Sequence, residues 1–376
     1  MALRWVEGFD ALTNINAVPG GGIQRKYESS SGTNLNAQTA VTELPTSLAN
    51  AASSSNMVLT TNPIVAAPVN TMIVGFAVRM GTNNIADGCG FALSNDDGVQ
   101  IRLEIEDRTP ANPKPGGTAI GFRIMRGATT LATSVQAFNS NNTNQGWLWV
   151  EWKVTVDNAA GAFEVRVQPK YETITTTLTW DNPATGVDTQ EQVTTGVNRL
   201  TIDYSSASSL TMVYDEIYVL DTTGATLNDF VGNLTFERLR VNADGNQTDW
   251  TLASATSHID ALDYPVGSLD DTERLTSEMA NQISLVNVSD PVLNTSGVAA
   301  VIVDHQSRME SATGSLTLAF RYRNANTASE ADGGTYGIST TTPMSFTDIR
   351  ELDPVTGAAW DVAHIPTYEF GVRNLG

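Results

Sequence analysis

Glu104 and Glu106 are the residues whose type and spacing come closest to a catalytic pattern. They stand two positions apart in VQIRLEIE (residues 99–106), and alternate residues of a strand share one face of its sheet. A retaining glycoside hydrolase uses two carboxylates about 5 Å apart, one as nucleophile and one as acid. However, the glucanase arrangement of two Glu flanking an Asp on a Trp-rich strand is absent. A solvated strand face is the favoured interpretation, and glycan hydrolysis is the alternative.

The strand WLWVEW (residues 147–152) concentrates aromatic side chains. Trp147 and Trp149 share a face and could stack on a sugar, whereas Trp152 has the opposite parity and points the other way. Glu151 lies between them as a second candidate acid, but it has no partner carboxylate. Core filling on both faces of a sandwich strand explains the pattern without a ligand. Glycan contact at Trp147 and Trp149 remains the alternative.

Hard oxygen ligands for calcium occur in two loops, at Asp96 and Asp97 and at Asp157. The same residue types are what tight turns require, and the spacing of an EF-hand is absent. The turn interpretation is favoured, so the sequence predicts neither a metal nor another cofactor. Asp96, Asp97 and Asp157 are the calcium candidates.

Other reactive side chains are few. Cys89 is the single cysteine, so an intramolecular disulfide is excluded, and its GCGFAL context predicts a small buried side chain. His258, His305 and His364 are scattered without metal-ligand spacing. Asp304 adjoins His305, but neighbours on a strand point to opposite faces. No catalytic residue is therefore predicted, and the histidines are expected to be structural or exposed.

The elements that would position these residues are strands. Period-two patterns and turn clusters favour an all-β chain with a two-sheet sandwich first and a second, smaller sandwich after it. A hairpin turn is predicted at residues 95–98. The clearest strand predictions are 57–60, 71–80, 90–94, 99–106, 120–126, 129–134, 147–156, 162–167 and 198–204, then 282–287, 297–306, 315–323, 336–341, 345–352 and 368–372. Weaker strands are predicted at 23–27 and 171–180.

The stretch from Leu210 to Trp250 joins the two halves. Its first part alternates until Asp215 and Glu216 fall together, which predicts a bulge or a change of exposed face. A strand at 234–241 and a turn at 242–245 are predicted next. The resulting division is a domain at 1–222, a linking segment at 223–245 and a domain at 246–376. Trp5, on a short first strand, is expected to lie near residues 214–219.

YDEIYVLDTTG (214–224) and NDFVGNLTFERLRVNADGNQTDWT (228–251) resemble a junction in structural proteins of tailed-bacteriophage virions. WLWVEWKVTVDNAAGAFEVRV (147–167) is similar to the paired central strands of the concanavalin-like (laminin-G-like) jelly roll that precedes that junction. The resemblance implies a non-enzymatic virion component. We expect it at the tail or fibre tip, with capsid decoration and host-glycan binding as alternatives. The expected partners are other virion proteins, further copies of this chain, and a host surface glycan.

Composition restricts the remaining partners. Of 376 residues, 41% are hydrophobic and 16% are charged, and the net charge is −20. This field repels nucleic acid and anionic membrane surfaces, so neither is an expected partner. Residues 1–10 lack the pattern of a signal peptide, and no apolar run approaches the roughly 18 residues of a membrane span. We expect synthesis in the host cytoplasm and a final location in the virion.

Overall fold

The computed structural model describes residues 2–7, 27–31, 35–38, 47–50, 58–80, 89–108, 119–139, 147–169, 174–203, 212–262, 273–292, 297–311 and 314–376. The chain forms two compact units, Met1–Phe236 and Glu237–Gly376. The boundary falls inside the segment predicted to link two domains. Strands dominate both units, which confirms the all-β prediction. No helix among the described residues is long and apolar enough to span a membrane.

The first sheet of unit 1 has nine strands in the order β14-β13-β12-β6-β17-β4-β3, with β1 also paired to β17 and β15 to β13. Strands are numbered in chain order. The members are β1 (Leu3–Glu7), β3 (Leu35–Gln38), β4 (Ser47–Asn50), β6 (Thr71–Met80), β12 (Trp147–Thr155), β13 (Gly161–Pro169), β14 (Thr176–Thr177), β15 (Thr185–Val187) and β17 (Met212–Asp221).

The second sheet of unit 1 has eight strands in the order β10-β9-β8-β7-β16-β5-β2, with β11 paired to β9. Its members are β2 (Tyr27–Ser31), β5 (Val58–Thr61), β7 (Cys89–Asn95), β8 (Gly98–Asp107), β9 (Ala119–Arg126), β10 (Thr129–Thr133), β11 (Phe138–Asn139) and β16 (Arg199–Asp203). The two sheets face each other as a sandwich, because one core cluster takes alternate residues from both.

Burial in that core follows strand parity. Phe76 on β6 and Phe91 on β7 have ring centroids 4.1 Å apart across the two sheets, and Tyr214 on β17 meets both edge-on. Trp152 lies fully buried in the same cluster. Cys89 is 1% exposed within it, so the prediction of a small buried side chain is confirmed.

Three local predictions are confirmed. The turn at residues 96–97 joins β7 to β8 as a hairpin. Trp5 on β1 pairs with Val219 on β17. The register of β17 against β6 shifts between Asp215 and Tyr218, and Glu216 has a φ of 51°. That bulge is the predicted change of face: Tyr214 lies in the core, whereas Tyr218, four positions later, lies on the outer face.

Other strand predictions are wrong. Residues 222–240 contain no strand, although one was expected at 234–241. Backbone groups there bond to side chains, as at Val231 and Gly232, and form no ladder. The turn expected at 242–245 lies inside a strand that begins at Val241. Of the extension predicted at 171–180, residues 174–180 are described, and they contain a two-residue strand at Thr176–Thr177 and an isolated bridge at Trp180. Residues 23–26 and 171–173 lie outside the described part of the chain.

Unit 2 contains a five-stranded sheet in the order β18-β21-β26-β23-β24 and two two-stranded sheets, β19-β20 and β22-β25. Its elements are β18 (Val241–Thr248), β19 (Thr251–Ala253), α1 (His258–Leu262), β20 (Arg274–Thr276), β21 (Ile283–Val288), β22 (Val301–Ser307), β23 (Leu316–Asn324), β24 (Ser329–Ile338), β25 (Met344–Arg350), a 3-10 helix (Ile365–Thr367) and β26 (Tyr368–Asn374).

The apolar face of the five-stranded sheet packs against the β22-β25 pair. Phe320 and Tyr322 on β23 share a core cluster with Val301, Val303 and Phe346. Two sheets therefore enclose a small core, as predicted for the C-terminal half. The short α1 lies between β19 and β20.

Candidate functional site

Glu104 and Glu106 lie on the outer face of the second sheet, because Leu103 and Ile105 point into the core. Arg123 donates to one oxygen of Glu104 through Nε at 3.2 Å and through its terminal nitrogen at 2.7 Å. Arg108 Nε donates to Glu106 at 2.6 Å. The solvated-face prediction is wrong for Glu104, which is only 7% exposed beneath its ion pair.

These ion pairs decide the chemistry of the two carboxylates. A retaining hydrolase needs one carboxylate free to attack and another free to donate a proton. Here each carboxylate is bound by its own arginine, Arg123 for Glu104 and Arg108 for Glu106. The two ion pairs link neighbouring side chains on the outer face of the sheet. This arrangement does not present two free carboxylates to a substrate.

The tryptophans proposed as a sugar platform are inaccessible. Trp147 is 0% exposed and Trp149 is 1% exposed. Both lie on the outer face of the first sheet, and the Trp149 ring packs at 5.7 Å from that of Tyr218. The glycan-contact alternative at these two residues is therefore wrong, because no sugar can reach rings that protein atoms already cover.

The three calcium candidates lie in turns, and each of their carboxylates has a partner within the chain. Asp157 accepts the backbone N–H groups of Ala159 and Ala160 at 2.8 and 2.7 Å. These hydrogen bonds favour the charged form and lower the pKa of Asp157. Asp96 pairs with Arg199 at 2.5 Å, and Asp97 accepts the N–H of Thr194 at 3.0 Å.

No metal site assembles from these residues. In the part of the chain that the structure describes, no three His, Cys, Asp or Glu side chains come close enough together to hold an ion. Oxygen atoms that would bind calcium are instead acceptors for backbone N–H groups and a guanidinium. The carboxylate of Asp157 stabilises its own turn, whereas those of Asp96 and Asp97 bind residues of other segments.

The segment 188–198 crosses one end of the sandwich, a feature that the sequence did not reveal. Thr189 exchanges hydrogen bonds with Asp157 on the β12–β13 turn. The Gln100 amide, which is 0% exposed, accepts the N–H groups of Glu191 and Gln192 and donates to the Thr194 carbonyl. We call this surface the turn end; it comprises residues 96–97, 127–128, 157–160 and 188–198.

Glu151 is the second feature that the sequence missed. This carboxylate is 2% exposed. One of its oxygens accepts the Tyr218 hydroxyl at 2.5 Å and the backbone N–H groups of Val231 and Gly232 at 2.8 and 2.9 Å. We call these four residues the Glu151 cluster. No partner was visible in sequence, because the partners are a phenol and two backbone amides rather than a second carboxylate.

Neighbouring contacts extend the Glu151 cluster along the same segment. Lys153 Nζ donates to Asp229 at 3.0 Å. The Phe230 ring lies 3.9 Å from the guanidinium carbon of Arg166 and 5.7 Å from Lys153 Nζ, both within the range of cation–π attraction. The chain that follows β17 is therefore fixed on the outer face of β12 and β13 by charge and by ring contact.

The histidines have structural partners or are exposed, as predicted. The His258 and Ser284 side chains form a buried hydrogen bond of 2.8 Å. The Nδ1 atom of His305 lies 2.8 Å from the Tyr336 hydroxyl. Desolvation lowers the pKa of His305 to about 4. His364 is exposed beside Asp361. Asp304 hydrogen-bonds Thr347 instead of His305, so the two neighbours form no dyad.

Comparison with known proteins gives likenesses at the level of solved structures. No protein-family model matches the sequence, and no curated protein matches it. The CBM2 module of the evolved Dit of Lactobacillus casei BL23 phage J-1 matches with 10% identity over 58% of this chain and 95% of that chain (TM-score 0.33). A legume lectin-like domain from Entamoeba histolytica matches with 9% identity over 52% of this chain and 90% of that chain (TM-score 0.30).

An engineered GH43 glycoside hydrolase matches with 12% identity, and the aligned part spans 46% of this chain but only 34% of that enzyme (TM-score 0.32). At such identities and TM-scores, these likenesses assign neither a family nor a function to this chain.

Proposed function

We propose that this protein is a non-enzymatic structural component of a bacteriophage virion, exposed at the tail or fibre tip. The resemblance of residues 147–167, 214–224 and 228–251 to virion proteins supports the virion assignment. One structural observation supports the non-enzymatic role: the three glutamates that the sequence offered as candidate acids are engaged in internal bonds. Glu104 and Glu106 bind arginines, and Glu151 binds a phenol and two amides.

Such bonding suits a particle part that must keep its shape outside a cell. Buried carboxylates that accept several hydrogen bonds tie together strands that are far apart in sequence. The Glu151 cluster fixes the segment after β17, and Gln100 fixes the segment at the turn end. In both places the polar side chain is engaged in hydrogen bonds within the chain.

Capsid decoration is the second position we consider within a virion. Either position calls for copies of this chain and for other virion proteins as partners. A net charge of −20 favours a basic surface on the partner and disfavours nucleic acid.

Host-glycan binding is an alternative that the turn end favours. Its exposed residues are rich in hydroxyls and carboxylates, and Val193 at its tip is 95% exposed.

The decisive experiment is a cryo-EM reconstruction of the particle that contains this chain. Density for the protein at the tail tip or fibres is the expected result. Density that tiles the capsid lattice would establish decoration instead. Absence of the chain from every particle would refute the virion proposal.

The enzymatic alternative has its own test. We expect the purified protein to release no reducing sugar from β-glucans or xylans. If hydrolysis is observed and is lost in Glu104→Gln, while Glu191→Gln at the exposed turn end retains it, the non-enzymatic assignment is wrong.

A further inference from the structure

Residues 190–195 form a loop at the turn end that presents one apolar side chain, and we call it the apex loop. Val193 is 95% exposed, more than any other large hydrophobic side chain among the residues that the structure describes. Glu191, Thr194 and Thr195 beside it are exposed as well. A single exposed apolar side chain is common on protein surfaces. What distinguishes Val193 is the backbone that carries it.

Two buried amide side chains hold the base of the apex loop. Gln100 on β8 accepts the backbone N–H groups of Glu191 and Gln192, both at 2.9 Å. The same amide donates to the Thr194 carbonyl at 2.6 Å. Asn95 on β7 donates to that carbonyl at 2.8 Å. The loop is therefore fixed directly to the second sheet.

Further bonds hold the tip of the apex loop. The Gln190 amide donates to the carbonyls of Gln192 at 2.8 Å and of Val193 at 3.1 Å. The N–H of Thr194 donates to the Asp97 carboxylate at 3.0 Å. The backbone on both sides of Val193 is therefore fixed before any partner arrives. A loop with a fixed shape loses less conformational entropy on binding than a mobile loop.

The need to satisfy buried backbone groups explains only part of this bonding. It accounts for Gln100 and Asn95, because buried N–H and C=O groups outside a ladder require other partners. It does not account for the bond from Gln190 to the Val193 carbonyl, which lies in an exposed position where water could bond to the same oxygen. The tip is thus more ordered than backbone satisfaction requires.

Carboxylates surround the apex loop. The turn end contains five acidic residues and no basic one. The side chains of Asp96, Asp188 and Glu191 are 78%, 44% and 40% exposed, although Arg199 and Arg126 at the border pair with them. Five carboxylates beside two guanidinium groups leave a negative surface. Such a surface favours a partner with Lys or Arg at the contact.

We propose that the apex loop docks on another protein of the virion, with Val193 in an apolar pocket whose rim carries Lys or Arg. A branched side chain that is almost fully exposed offers nearly all of its apolar area for burial in such a pocket. The acidic residues around it match the charge of the rim. This inference rests on the proposed function, because the partner is a protein of the same particle.

Hydroxyl-radical footprinting, read by mass spectrometry, would compare the free chain with the chain in intact particles. We expect oxidation of Val193 to fall in particles toward the rate of Val197, which is 0% exposed in the chain itself. Val135, which is 64% exposed, is the control and should keep its rate. Equal oxidation of Val193 in both samples would overturn the inference and leave the turn end open, as the host-glycan alternative requires.

Variants would test the contact through the rate at which the chain is released from particles. Val193→Ala should speed release about 10-fold, because two buried carbons are lost, and Val193→Asp should prevent stable attachment. Val135→Ala and Val135→Asp are the matched controls, and circular dichroism would verify that each variant is folded. Identical release of the Val193 and Val135 variants would overturn the docking role of Val193.

Gln190→Ala tests the fixed shape of the loop, since it keeps Val193 but removes the bonds at the tip. We expect faster release than for the unchanged chain, and an unchanged rate would show that the order of the tip does not matter. Release should also become faster as the salt concentration rises, because salt screens the contact between acidic and basic groups. Release that does not depend on salt would overturn the basic rim.

These outcomes are separable from the virion proposal. If the unchanged chain is present in particles and Val193 stays as reactive as in the free chain, only the docking inference fails. Absence of the unchanged chain from every particle would refute the virion proposal, and this docking partner with it.

Discussion

The Tyr218 hydroxyl donates a 2.5 Å hydrogen bond to the carboxylate of Glu151, and both side chains are buried on the outer face of the first sheet. Strand β6 runs between them, and Gly75 pairs with both residues. The Tyr218 ring lies where a Cβ on residue 75 would stand. The bulge at residues 215–216 turns Tyr218 toward this face. The hydrogen bond therefore depends on β12 for the acceptor, on β17 for the donor and on β6 for the space that Gly75 leaves.

Loss of the Glu151 carboxylate should loosen the segment that follows β17. Glu151→Gln removes the charge from an acceptor of three hydrogen bonds, and bonds to a charged group contribute about 1.5–3 kcal/mol each in favourable cases. We expect unit 1 to lose about 1–3 kcal/mol of unfolding free energy. Hydrogen exchange at the Val231 and Gly232 amides should rise by at least ~10-fold.

Glu191→Gln provides the control for that measurement. Its carboxylate is exposed and lies 3.7 Å from Arg126 Nε, a surface pair worth about 0–1 kcal/mol. If the two variants exchange alike at Val231 and Gly232, the Glu151 cluster does not fix the segment.

Gly75→Ala should also destabilise unit 1. The new methyl group would occupy the position of the Tyr218 ring, and overpacking of this kind costs about 1–3 kcal/mol. Thermal and denaturant unfolding would measure the loss. Gly337→Ala is a suitable comparison, because nothing lies within 4 Å of its added Cβ. A Gly75→Ala protein as stable as Gly337→Ala would show that the ring moves aside freely.

Alkaline pH should weaken unit 1 through Tyr218. Burial, followed by the nearby charge of Glu151, raises the pKa of Tyr218 well above its ordinary value. The unfolded chain ionises this phenol near pH 10 while the native protein does not, so stability is lost as the pH rises beyond about 10. Ultraviolet titration of tyrosinate would be compared between the unchanged protein and Tyr218→Phe. The difference between the two curves would show the pH at which Tyr218 ionises. A Tyr218 that ionises with the exposed tyrosines would contradict the prediction.

Acid should weaken unit 2 through His305. Desolvation lowers the pKa of His305 to about 4, whereas an unfolded histidine titrates near 6.5. The unfolded state therefore takes up the proton first, and stability falls as the pH drops from about 6.5 toward 4, by about 1–3 kcal/mol. His305→Gln should flatten that part of the pH profile. NMR titration of the imidazole gives the pKa directly, and a midpoint near 6.5 would refute the prediction.

Calcium should leave the melting temperature unchanged. Asp157 and Asp97 accept backbone N–H groups, and Asp96 pairs with Arg199, so no free set of oxygens faces an ion. Scanning calorimetry with millimolar calcium and with a chelator would test this. A rise of several degrees with calcium, lost in Asp97→Asn, would mean that a site assembles at the turn end.

The sequence by itself determined the features that local chemistry controls. Alternation located β6, β8, β12 and β13, and the composition of residues 95–98 located a hairpin turn, because parity and turn stereochemistry act over a few residues. The break in alternation at Asp215 and Glu216 located the bulge for the same reason. The alternation also predicted correctly that Trp152 and Trp149 point to opposite faces.

The tertiary structure alone decided which polar groups are satisfied and which surfaces are covered. Val231 reaches Glu151 across 80 positions of sequence, and no local pattern encodes that distance. Trp147 and Trp149 looked available for a sugar because periodicity gives the face of a strand but not what packs on it. Likewise, the register of β8 against β9 places Arg123 opposite Glu104, where the two side chains form an ion pair. Register is a property of the assembled sheet, because the sequence of one strand does not specify which strand it pairs with or in which alignment.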